Sequence, residues 1–347
     1  MADNERDFHR IADAQQREAL TALSPLVSRY THCALLDFPN HNNVGDNAIW
    51  LGEKECLRRL SIRIAYVCDL ASYDADRLKK AVPPGGLILL HGGGNFGDYW
   101  PDHQLFRERI IESFPDRRII QLPQSVQFER LEHLDRARRV MSQHRNLTIL
   151  VRDRYSANFV KEQLDSCSRL CPDMAFFIGF QQRAQSPIHD VVWIAREDHE
   201  STGNVTLPET QLDVKKIDWI LKEMGPRPWS LSPRLTVRTR TEIQSVFRNH
   251  LWLKRLGGRA FGWTFDQLAR RRVARGLQML SLGRVIITDR LHGHILATLL
   301  GLPQVLLENR YGKIRRYHES FPIESPRIRV TDSSEEALNL AKLLLSR

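Results

Sequence analysis

The sequence predicts two α/β halves of similar size meeting at a cleft. Short apolar runs alternate with helical patterns, as parallel strands covered on both faces do. A polar break from Phe180 to Ile188 (FQQRAQSPI) separates two such series. The length of 347 residues suits two domains at roughly 100–200 residues each.

In the first series, strands are expected at Cys33–Phe38, Ile62–Val67, Leu87–Leu90, Arg118–Leu122 and Leu147–Val151. Helical patterns at Ala48–Leu60 and Leu131–His144 lie between them. The second series has strands at Val191–Ala195, near Pro228–Leu231, and at Val285–Thr288, Gln304–Leu307 and Arg327–Val330, with a helix from Glu242. A last helix, Ser334–Leu345, follows the N-cap cluster Thr331-Asp332-Ser333. The boundaries are 1–182 for the first domain, 183–332 for the second, and 333–347 for the terminal helix.

Composition excludes several classes. With 42% hydrophobic and 27% charged residues the chain is neither disordered nor fibrous. No apolar run reaches the ~18 residues of a membrane span, and the N-terminus lacks a signal peptide's apolar stretch. Five cysteines, few and odd in number, argue against a disulfide framework and for a cytoplasmic setting. The net charge of +10 is local: Pro233–Arg316 carries +13 and the remainder −3. Such a segment calls for an anionic ligand, an anionic surface or nucleic acid. Aromatics interleave its cations at Leu251-Trp252-Leu253 and Phe261-Gly262-Trp263, which suits a membrane surface or lipid-linked phosphate. No nucleic-acid-binding motif accompanies it. Zinc-ligand spacing, a phosphate loop and a nucleophile elbow are all missing, so no metal site is expected.

Ligands of such sheets bind beyond the carboxyl ends of strands, and three segments stand there. Asp37–Ile49 is dense in Asn, with Gly45 and Asp46 at a helix start. A capping loop explains any single Asn; the whole segment exceeds capping needs. His91-Gly92-Gly93-Gly94-Asn95-Phe96-Gly97-Asp98 follows an apolar strand, and its glycines let the backbone approach a ligand. In Thr288-Asp289-Arg290-Leu291-His292-Gly293-His294, Arg290 and His292 lie near a helix N-terminus, which favours anions. Arg offers a bidentate fork and His a titratable proton. His294, leading an apolar helix, is a packing residue on this reading. Arg196 and Lys313, each after an apolar strand, are further anion binders.

Six motifs in order resemble the polysaccharide pyruvyl transferase family. They are Asn43-Val-Gly45-Asp46-Asn47-Ala, Leu90-His-Gly92-Gly93-Gly94-Asn95-Phe96-Gly97-Asp98, Leu122-Pro-Gln124-Ser125, Val151-Arg152-Asp153-Arg154-Tyr-Ser156, Cys171-Pro-Asp173 and Asp289-Arg290-Leu291-His292-Gly293. The resemblance implies two Rossmann-like domains in the GT-B glycosyltransferase arrangement. It also implies transfer of pyruvate from phosphoenolpyruvate onto two hydroxyls of a sugar, forming a cyclic ketal without a cofactor. On it, Arg290, Leu291, Gly293, Arg196 and Lys313 bind the donor, and His292 is the acid. Asp46 or Asp98 is the base, and Asn43, Gly45, Gly93, Gly94, Asn95 and Gln124 line the acceptor side. The acceptor is a glycan precursor, with a lipid-diphosphate-linked saccharide at the inner face of a membrane among the candidates. A nucleotide-sugar glycosyltransferase on the same architecture is the alternative, and a basic nucleic-acid- or membrane-binding module the third reading.

Overall fold

The computed structural model describes residues 2–195, 208–218, 251–308 and 312–346. One sheet is built from β1 (His32–Leu36), β2 (Arg63–Cys68), β3 (Leu87–Leu90), β4 (Gly93–Gly97), β5 (Arg118–Gln127), β6 (Leu147–Val151) and β7 (Ser168–Leu170). Its order is β2-β1-β3-β5-β6-β7, with β4 beside β5, and every pairing is parallel. The other holds β8 (His189–Ile194), β9 (Val214–Ile217), β10 (Gly283–Thr288), β11 (Gln304–Leu307) and β12 (Ile328–Thr331). It runs β12-β11-β10-β8-β9, again parallel throughout. These are two Rossmann-like α/β units. The strand expected near Pro228–Leu231 and the helix start at Glu242 lie outside the described residues.

Helices α1 (Ala2–Val27), α2 (Val44–Arg59), α3 (Ala75–Ala81), α4 (Pro101–Ser113), α5 (Leu131–Ser142) and α6 (Arg154–Gln163) belong to the first half of the chain. In the second come α7 (Leu251–Ser281), α8 (Leu291–Leu299), α9 (Lys313–Ser320) and α10 (Ser334–Leu345). Covered on both faces, β3 and β6 are buried at every residue, which is why they are continuous apolar runs in the sequence. Against β10–β12, α10 seals the far face through Leu338, Ala341 and Leu344. None of the described helices is long and apolar enough to cross a membrane.

In each sheet the chain reverses its direction of winding once, between β1 and β3 in the first and between β8 and β10 in the second. Such a switch point opens a crevice at the carboxyl ends of the strands. The loops after β1, β3 and β10 carry the three segments singled out above.

Two helices tie the halves together. From the N-terminus, α1 packs against α8 and the 310 turn Met174–Ile178, and its Gln15 accepts the hydroxyl of Tyr317 at 2.9 Å. Helix α7 falls between β9 and β10 of the second domain in sequence but lies on α2 and β2 of the first. There Asp266 pairs with Lys54 and accepts the indole N–H of Trp50 at 3.2 Å. One apolar core therefore runs from Phe8 through Trp50 and Phe176 to Phe265 and Phe321.

Candidate active site

The Asn-rich loop is wired chiefly by its own amides. Asn43 caps α2, accepting the N–H of Gly45 at 2.9 Å, and Asn47 donates to the carbonyls of His41 and Asn43 at 3.0 and 2.7 Å. From α7, Arg272 donates to the Pro39 carbonyl at 3.2 Å and Arg275 to that of Asn42 at 2.8 Å. Those two cations thus brace the loop, while Arg270 and Arg271 stay exposed. Asp46, in the first turn of α2, lies 3.6 Å from His41 Nε2. Its Oδ1 is 3.4 Å from the point where a β-carbon on Gly93 would sit. Burial opposes ionisation of Asp46, but His41, His292, His91 and Arg152 outweigh it and hold the carboxyl below its usual range.

Beneath the triple glycine lies a buried polar scaffold. Glu53 of α2 accepts the N–H of Gly92 at 2.7 Å and meets His91 Nδ1 at 2.8 Å. Burial pushes the Glu53 carboxyl up against the pull of His91; burial also disfavours a charged His91, but Glu53 raises it overall. Pro123 brings no N–H to the ladder, and the β5 register shifts between Gln121 and Gln124. Residues three apart then reach one place, and both amides donate to the His91 carbonyl, at 2.7 and 3.1 Å. Gln124 also accepts the N–H of Asn95 at 3.2 Å and donates to its side chain at 2.8 Å. Arg107 underlies them, bonded to Asn95, Gln104 and Gln121, and burial lowers its pKa to about 10. Gly93 holds φ at +122°, a conformation that side chains resist.

The halves meet at Arg152, Asp173 and His292. Arg152, after β6, donates to Asp173 at 2.6 Å and to Ser125 Oγ at 3.1 Å. Asp173, after β7, also caps the 310 turn by accepting the N–H of Ala175 at 2.8 Å. His292, in the first turn of α8, brings Nε2 to 3.2 Å from Asp173 and 3.5 Å from Arg152 Nη1. Burial works against ionisation of Asp173, but His292 and Arg152 drive its carboxyl well below the usual range. Its side chain 14% exposed, His292 remains within reach of a ligand. Beside it, the β-carbon position of Gly94 is 3.6 Å from Arg152 Nη2 and 3.9 Å from Lys313 Nζ. Arg, His and Lys thus converge over a glycine floor, where a small anion would meet cations and open backbone.

Other expected residues have structural partners. Arg290 is buried and ion-paired with Asp218, just beyond β9, so it braces the turn that presents His292. Leu291 is buried, and a β-carbon on Gly293 would fall 2.4 Å from Thr288 Oγ1; both serve the packing of α8 on β10. Asp98 ties down the turn before α5, accepting the N–H groups of Glu129 and Arg130 at 2.9 and 2.7 Å. His294 is fully buried between Gln304 and His318. Arg196 lies outside the described residues. Arg152, Asp173, His41 and Glu53 were absent from the expected site; standing directly after β6 and just beyond β7 was the signal for Arg152 and Asp173.

The family model described as polysaccharide pyruvyl transferase matches residues 43–311. The chain belongs to the polysaccharide pyruvyl transferase family. Pyruvyl transferase 1 of Schizosaccharomyces pombe is 34% identical over 330 residues, covering 88% of this chain and 74% of that protein. EpsO of Bacillus subtilis, provisionally named a pyruvyl transferase, is 27% identical, covering 93% and 96%. A functionally uncharacterised Klebsiella pneumoniae protein of known structure shares the fold with a TM-score of 0.56 and 16% identity, over 90% of this chain and 97% of that one. As a member of the polysaccharide pyruvyl transferase family the protein is an enzyme, and a saccharide is its acceptor.

Proposed function

We propose that the donor is phosphoenolpyruvate and that its pyruvyl group is delivered to two hydroxyls of one sugar in a cell-surface glycan precursor. The convergence of Arg152, His292 and Lys313 over Gly94 carries this reading, because the donor is a small molecule with two anionic groups. Arg152 offers a fork to one anion and Lys313 a point charge to the other. Asp173 holds the His292 ring and stabilises its protonated form.

His292 delivers its proton to the donor's methylene carbon, making a methyl group and an oxocarbenium-like centre at the neighbouring carbon. A sugar hydroxyl adds there as Asp46 takes its proton. The C–O bond to phosphate then breaks, inorganic phosphate departs, and the second hydroxyl closes the ring with loss of its proton. Arg290 acts as a positioning residue through the β10–α8 turn. Incubation with isotopically labelled phosphoenolpyruvate and candidate glycans tests this. Label in the glycan with equal release of inorganic phosphate supports it, whereas sugar transfer from a nucleotide sugar without pyruvyl transfer overturns it.

A further inference from the structure

Helix α7 divides its cations between two faces. From Leu251 to Ser281 it carries seven Lys/Arg and one acidic residue, Asp266. Asp266 is turned inward, where Lys54 and the indole N–H of Trp50 hold it. Arg272 and Arg275 are committed to the carbonyls of the Asn-rich loop. Opposite them, Trp263, Gln267, Arg270, Arg271 and Ala274 recur at helical spacing and form one stripe. Trp263, Arg270, Arg271 and Ala274 are exposed, and Gln267 is half-buried. No described carboxylate pairs with Arg270 or Arg271. Just before the indole, Gly262 lies against β2, where a β-carbon would meet Val67 at 3.5 Å. The helix is thus pressed to the sheet while Trp263 is 66% exposed, so its large ring gains little from folding. With Asp266 turned away, the outward stripe combines an indole with cations and has no negative charge of its own.

We infer that the outer face of α7 docks on an anionic lipid surface, with Trp263 seated at the headgroup boundary and Arg270 and Arg271 on lipid phosphates. An indole has an apolar body and one N–H, which suits the boundary between headgroups and acyl chains. The arginine stems lie along apolar surface while their guanidinium groups bond phosphate oxygens. The contact is peripheral, since no described helix is long and apolar enough to cross a membrane. Nucleic acid fits the stripe less well, because a phosphate backbone is tracked by a longer row of cations. Arg270 and Arg271 face outward from the same two turns that brace the Asn-rich loop with Arg272 and Arg275. Docking therefore sets that loop, on the acceptor side of the cleft, beside the lipid. The inference concerns a surface outside the cleft and does not depend on which donor the enzyme uses.

Cosedimentation of the full chain with vesicles tests it, using phosphatidylcholine alone and phosphatidylcholine mixed with phosphatidylglycerol. The anionic vesicles should bind at least about tenfold more strongly than the neutral ones at about 50 mM salt, and the difference should shrink at about 300 mM. Arg270→Gln/Arg271→Gln should reduce binding to the anionic vesicles about tenfold or more. The control pair Arg139→Gln/Arg145→Gln removes the same charge from exposed positions elsewhere and should leave binding unchanged. Trp263→Ala should weaken binding without altering its salt dependence, and Trp263→Phe should restore part of it. All these side chains are exposed, so melting temperatures should match that of the parent chain. Binding to neither vesicle, equal binding to both, binding that survives Arg270→Gln/Arg271→Gln, or an equal loss in the control pair overturns the inference. Capture of duplex DNA in preference to anionic vesicles, lost in the same double variant, also overturns it and assigns the stripe to nucleic acid. The assay contains no phosphoenolpyruvate, so its result is independent of the donor assignment.

Discussion

Gly45 and His292 are interlocked across the cleft: a β-carbon on Gly45 would lie 2.3 Å from Nδ1 of the imidazole and 2.4 Å from its Cγ. The first turn of α2 therefore serves as the back wall of the histidine, and the absence of a side chain there sets the ring's position. Gly45 faces the histidine, whereas the expectation from sequence put it with the acceptor. Gly45→Ala should displace the ring and lower kcat roughly 100-fold, with a smaller change in KM for phosphoenolpyruvate. Steady-state kinetics beside a thermal melt separate misplacement from unfolding.

Asp173 balances Arg152 where both are buried. Asp173→Asn leaves that arginine without its counter-ion, a loss on the order of 3 kcal/mol. The double variant Arg152→Gln/Asp173→Asn should be less destabilised than the sum of the two single ones, as urea unfolding in a double-mutant cycle would show. Because the Asp173 pKa is depressed, its stabilisation is full above the ordinary carboxylate range and fades as pH falls through and below it. Asp173→Asn should flatten that acid limb.

Two carboxylates were candidates for the base, and the structure gives them different surroundings. Asp98→Asn should leave both the melting temperature and turnover near normal, because the amide oxygen still accepts from the turn before α5. Asp46→Asn should lower the melting temperature modestly and lose at least ~100-fold in kcat. A reversal of these two results would move the base to Asp98.

His294 and His318 place their Nε2 atoms 3.1 Å apart. Burial, reinforced by His318, lowers the pKa of His294 to about 3; burial lowers that of His318 to about 4. The unfolded chain takes up these protons near pH ~6.5 and the folded chain does not, so stability is full above that pH. It should fall by roughly 2 kcal/mol for each histidine, about 4 kcal/mol for the pair, between pH ~7 and ~5 on this account. His318→Gln should make that decline shallower in urea unfolding at the two values.

Most of the strand framework was legible because its apolar runs are short and sharply bounded. Leu87–Leu90, Leu147–Val151, Gln304–Leu307 and the Ser334–Leu345 helix coincide with the observed elements. Gly93–Gly97 was not read as a strand, since Gly-Gly-Asn-Phe-Gly has little β-propensity and is ordered by pairing with β5. At the site, His292 and the glycine loop stood out locally. The engagement of Arg290 did not, because Asp218 is 72 residues away in sequence. The bracing by Arg272 and Arg275 was not legible either, because their partners are backbone carbonyls 233 residues earlier in the chain.

The placement of α7 bears on how such enzymes can be recombined. Loops that would set acceptor choice sit in the first half of the chain, which invites exchange of that half between relatives. But the Asn-rich loop of this half is braced by Arg272 and Arg275, and Trp50 and Lys54 bond Asp266. A chimera cut at residue 182 would pair a foreign loop with a brace shaped for another. The transferable cassette is discontinuous: the N-terminal half together with α7.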